Sequence, residues 1–138
     1  MRAACALLLA AAALALPGPV SAAWSAGTTG SGATKSKTMP AANGVPAGSV
    51  SSHDVTVTWS AAQFPEGGNV PSYVVKRYDA VTDVLQTTLS ACSGLVGATS
   101  CVEHSVPTGA WKYTVTPAAG NNWRGTESGK SATITVLI

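Results

Sequence analysis

The stretch Trp111-Lys112-Tyr113-Thr114-Val115-Thr116-Pro117 alternates large apolar and polar residues. That is the period-2 pattern of a strand with one face buried and one in water. Trp111, Tyr113 and Val115 fall on one face; Lys112, Thr114 and Thr116 fall on the other. Shorter stretches on either side repeat the alternation, and each needs a partner sheet to cover its apolar face. In 54–60, Val55, Val57 and Trp59 point one way and Thr56 and Thr58 the other. In 72–79, Tyr73 and Val75 oppose Val74, Lys76 and Tyr78.

Further out, Asn43-Gly44-Val45-Pro46 suits a first strand at a sheet edge, where proline's missing N–H is tolerated. A short strand is predicted over 84–89, another through Cys101, Val102 and His104, and a last one over 131–138 with Ala132, Ile134 and Val136 on one face. Between them, 61–71, 90–100 and 118–130 are rich in Gly, Pro, Asn and Ser and read as loops. No stretch has helical periodicity. Seven short antiparallel strands in about 100 residues predict an all-β, immunoglobulin-like sandwich over 39–138.

The chain of 138 residues opens with Met1-Arg2, an apolar run from Ala3 to Leu16, a Pro17-Gly18-Pro19 break and the small-residue site Val20-Ser21-Ala22. This is the layout of a secretory signal peptide over 1–22, cleaved after Ala22. The apolar run is shorter than the roughly 20 residues a membrane helix needs, so no membrane attachment is expected after cleavage. Residues 23–38 are rich in Gly, Ser, Thr and Ala and read as a flexible linker, with Trp24 near its start and Lys35 and Lys37 as solvated charges. Only 10% of residues are charged, the formal net charge is +2, and the lysines and arginines are scattered. Nucleic acid is excluded as a partner on that ground, because it calls for clustered cations.

Taken together, Trp59 closing the second strand, Tyr73 to Val75 in the third, the Trp-x-Tyr-x-Val of the sixth and Glu127-Ser128 before the last resemble a fibronectin type III domain. The resemblance covers about residues 40–138. The leader, linker and single domain also resemble short secreted proteins of actinobacteria, in which YVVKRYDA and WKYTVTPAAGNNWRGTES recur with small variations. One position departs from the family. Its tyrosine corner places a Tyr shortly after a Leu-x-Pro turn, and spacing from Pro107 puts Trp111 there, with Tyr113 two residues later. Either Tyr113 takes the role with a shifted turn, or the corner is lost and Trp111 plugs the core; we expect the second.

Cys92 and Cys101 remain after the leader is removed, and an even pair in an exported chain points to a structural disulfide. Closing a loop of that size contributes roughly 2.7 kcal/mol in the chain-entropy model. Two thiols with His104 nearby fall short of the four ligands of a structural metal site, and no cofactor is expected. His53 beside Asp54 and His104 beside Glu103 are the histidines available for acid–base chemistry. Neighbours on a strand point to opposite faces, so His53 and Asp54 do not meet. Glu66, Asp79, Asp83, Glu103 and Glu127 are assigned to separate loops. No nucleophile elbow, phosphate loop or zinc motif is present, and no enzymatic activity is expected.

The loop Gly120-Asn121-Asn122-Trp123-Arg124-Gly125-Thr126-Glu127 is the leading candidate for binding. Trp123 either stacks on a sugar ring or anchors a protein contact, or else it folds back and holds the loop against the core. Phe64, in Phe64-Pro65-Glu66-Gly67-Gly68, falls at the same end of such a sandwich, which suggests a composite patch of Phe64, Trp123 and Arg124. The expected function is a secreted, non-catalytic interaction or structural module at the cell surface or in the extracellular matrix. Its partner would be a protein or polysaccharide surface. The alternative is a carbohydrate-binding module accessory to secreted glycan-degrading enzymes. A third reading, polymerisation through an exposed edge, rests on the last strand.

Overall fold

The computed structural model describes residues 37–138. The leader at 1–22, the linker through residue 36, Trp24 and Lys35 lie outside the described residues. In chain order the strands are β1 (Asn43–Ser51), β2 (Asp54–Ser60), β3 (Ser72–Asp79), β4 (Leu85–Gln86), β5 (Leu95–Val96), β6 (Ser100–Glu103), β7 (Gly109–Ala119), β8 (Trp123–Arg124) and β9 (Ile134–Val136). They form two antiparallel sheets. The smaller runs β1-β2-β6; the larger runs β4-β3-β7-β8, with β5 also on β3 and β9 also on β7.

Two pairings, one in each sheet, carry the alternation through to the core. β3 and β7 align Tyr73 with Pro117, Val75 with Val115 and Arg77 with Tyr113, while β2 aligns Val57 with Cys101 of β6. Val55, Val57, Trp59, Tyr73, Val75, Trp111, Tyr113, Val115, Ile134 and Val136 are all buried between the layers. Trp59 and Tyr73 meet edge to face with centroids 5.5 Å apart. Cys92, in a single 3-10 turn at Ser90–Cys92, is bonded to Cys101 of β6.

Nine strands stand among the described residues where seven were expected. The additional ones are β5 and β8, two residues each, inside the stretches read as loops. The predicted last strand is also reorganised. Over 125–131 the chain runs along β7, with Gly125, Ser128 and Ser131 donating N–H to the carbonyls of Pro117, Val115 and Tyr113. The return bonds go to side chains: the N–H groups of Val115 and Tyr113 donate to Ser128 Oγ and Ser131 Oγ, each at 3.0 Å. Serine hydroxyls thus replace ladder carbonyls until β9 begins, and Ala132 is exposed.

Two expectations for the core are corrected. Glu103, counted above among the loop carboxylates although the strand predicted through Cys101 and His104 spans it, is a fully buried residue of β6. One of its carboxylate oxygens accepts from Arg77 Nη1 of β3 and from the Leu89 N–H (2.8 Å). The other accepts from Tyr113 Oη of β7 at 2.7 Å, so the carboxylate bridges both sheets. Burial, with the Glu103 hydrogen bond added, pushes the Tyr113 hydroxyl well above the usual tyrosine range. The tyrosine corner, for its part, is not lost. The indole Nε1–H of Trp111 donates to the Pro107 carbonyl at 2.9 Å, and the Arg77 guanidinium lies 4.8 Å from the ring centroid. Indole N–H thus fills the place of the phenol O–H.

Candidate functional site

Gly120 ends β7 with φ +65, a left-handed conformation that suits glycine. The chain then folds back as β8, pairing Trp123 with Ala119 and Arg124 with Ala118. Because neighbours on a strand point to opposite faces, this pairing sends the two side chains of β8 to different sides of the sheet. Gly125 follows, where a Cβ would lie 1.9 Å from the Pro40 carbonyl oxygen, so the chain entering the domain passes directly over the loop. Ala42 N–H then donates to the Thr126 carbonyl.

On the inner side, Trp123 packs on Phe64 with centroids 5.9 Å apart and planes tilted by 32°. Trp123 is 40% exposed and Phe64 8%. Phe64 is fixed by its own turn: its N–H donates to Gly68 O and its carbonyl accepts from Gly67 N–H. At its root Ala62 N–H donates to Tyr73 Oη at 2.8 Å. Lys37, expected as a solvated linker charge, is exposed and also sits 5.0 Å from the Phe64 ring centroid. The structure therefore brings Phe64 and Trp123 together, with Phe64 as buried support and Trp123 as the accessible ring. Arg124 is separated from them.

Arg124 lines a groove of about 280 Å³ on the outer face of the larger sheet, with Val74, Lys76, Thr116, Gly125 and Glu127. Glu127 accepts three hydrogen bonds there. Its Oε1 accepts from Tyr78 Oη (2.8 Å) and Thr114 Oγ1 (2.5 Å), and its Oε2 from Lys76 Nζ (2.7 Å). Burial pushes the Glu127 carboxyl up, but the hydrogen bonds from Lys76, Thr114 and Tyr78 outweigh it and hold the group below its ordinary value. The Glu127 hydrogen bond raises Lys76 in turn, against a smaller opposing effect of burial. Thr116 Oγ1 is buried without a hydrogen-bond partner. The sequence reading missed this cluster, although the outward parity of Lys76, Tyr78, Thr114 and Thr116 was visible in it.

The histidines lie elsewhere. His104 Nδ1 is 2.9 Å from Asp54 Oδ2, across an exposed position one step beyond the Val55–Glu103 pair. That His104 contact, then the Ser105 N–H, lowers the Asp54 carboxyl. His53 Nδ1 lies 3.2 Å from the Val106 carbonyl. The disulfide consumes both thiols that were weighed as metal ligands.

A scan against known protein families and a search of curated proteins found no match to the sequence. Among solved structures, the crystal structure of domains A168-A170 from titin matches with a TM-score of 0.57 at 14% identity, covering 72% of this chain and 33% of that one. Titin kinase and its flanking domains match with a TM-score of 0.54 at 17% identity, covering 71% of this chain and 17% of that one. The chain spans about a third or less of either. With the two antiparallel sheets, these likenesses define the class: an immunoglobulin or fibronectin type III-like β-sandwich.

Proposed function

We propose that the chain is a secreted, non-catalytic interaction module that works at the cell surface or in the surrounding matrix and engages its partner through Trp123. One observation carries this reading: a tryptophan 40% exposed on the short strand β8 and backed by a buried phenylalanine. Packing fixes the ring, so little conformational freedom is lost on contact, and such anchored aromatics dominate binding energies. A polysaccharide is the partner class favoured, because an accessible aromatic ring held in place by packing suits stacking on a sugar ring. A carbohydrate-binding module accessory to secreted glycan-degrading enzymes is the alternative reading, and stacking on Trp123 would serve it too.

The test is a pull-down on isolated cell walls and insoluble polysaccharides with the wild-type chain and a Trp123→Ala variant. We expect saturable binding that weakens at least about tenfold in the variant, a loss of ~1.4 kcal/mol or more, with circular dichroism unchanged. Equal retention of both forms would remove Trp123 from the account.

A further inference from the structure

The Arg124 side of the loop holds a feature that stacking on Trp123 leaves unused. Within the groove the charges of Lys76 and Glu127 compensate each other at 2.7 Å. Arg124 has no carboxylate partner among the described residues; its side chain bonds only the Gly120 carbonyl, which uses one of five N–H donors. The groove therefore carries one uncompensated positive charge. At its base Thr116 is 7% exposed, and its Oγ1 finds no partner. A buried hydroxyl left unpaired is destabilising, and one in a groove also lined by a guanidinium with spare donors suits a ligand offering both a carboxylate and hydroxyl groups.

We propose that this groove is a subsite for a uronate unit of an acidic polysaccharide. The carboxylate pairs with Arg124, a ring hydroxyl bonds Thr116 Oγ1, and the ring's C–H face lies against Val74. Thr116 Oγ1 is closed off from water, so its bond to the ring hydroxyl requires neighbouring side chains to move aside. The groove, at about 280 Å³, lies at the small end for ligand pockets and suits one unit of a polymer. An acidic peptide fits less well, because it offers no ring C–H face to lie against Val74. The inference deepens the polysaccharide reading above and rests on it.

The experiment measures binding of the full chain to polygalacturonate, to its carboxyl-reduced neutral form and to polyglutamate. We expect polygalacturonate to bind about tenfold more tightly than either of the others, consistent with one charge-assisted contact. Arg124→Gln should abolish the preference, while Lys112→Gln, a cation on the same face outside the groove, keeps it. Thr116→Val should weaken polygalacturonate binding several-fold without lowering the melting temperature, because it removes an unpaired hydroxyl. Equal binding of the acidic and neutral polymers overturns the subsite and leaves the Trp123 reading standing. Polyglutamate binding as tightly as polygalacturonate, or a preference that survives Arg124→Gln, also overturns it. Absence of binding to any polysaccharide overturns both readings.

Discussion

Trp111 occupies the corner position after the Pro107 turn and meets its requirement with a different atom. A donor 2.9 Å from the Pro107 carbonyl holds the turn, and an indole N–H supplies it. Trp111→Phe keeps an aromatic ring and removes the donor, so it should cost about 1–3 kcal/mol, read as a lower urea midpoint at unchanged m-value. Glu103 is the other decisive residue. Its carboxylate faces Arg77, Tyr113 and the Leu89 N–H with no access to water. Glu103→Gln leaves the guanidinium uncompensated in the core and should destabilise by about 3–5 kcal/mol. The double replacement Arg77→Met with Glu103→Leu should recover only part of that loss in the same assay, because it removes the uncompensated charge but leaves the Tyr113 hydroxyl and the Leu89 N–H without their acceptor. Both charges were legible in part. Strand parity alone puts Arg77 inward with Tyr73 and Val75, and Glu103 inward with Cys101. Counting Glu103 among the loop carboxylates hid the pair, since its partner is on another strand.

At the scale of elements, β2, β3 and β7 follow the period-2 pattern closely; the boundaries of β2 and β3 could be read from the sequence, while β7 runs past the stretch read as a strand at both ends, taking in Ala118 and Ala119, which were read as loop. β5 and β8 could not, because two residues carry no periodicity. Nor could the run from 125 to 131, where Ser128 and Ser131 hydroxyls replace backbone carbonyls. β8 matters most for function: once Trp123 and Arg124 are on a strand, parity divides them between two faces, and the single patch expected from the loop becomes two. The outer face also has a defined pH response. The Glu127 carboxyl is held below its ordinary value of 4.5, so its contribution is fully present above that pH and is lost as pH falls through the folded-state value. The stability difference between wild type and Glu127→Gln should therefore be constant from roughly pH 6 to 8 and shrink below pH 4.5, as followed by urea denaturation across pH.

For the whole molecule, a disulfide-tied sandwich with a buried ionic bridge provides a rigid frame on which one loop presents different chemistry to two sides. The proposed activity needs the frame to stay fixed while Trp123 alone changes environment. Four tryptophans make that measurable through their indole N–H resonances. Trp59 and Trp111 are buried in the core and Trp123 is 40% exposed. The most direct measurement is a titration of ¹⁵N-labelled protein with soluble cell-wall fragments, following those resonances. The account predicts a saturable shift of the Trp123 indole while those of Trp59 and Trp111 hold their positions. Saturable binding that leaves Trp123 unmoved would contradict it.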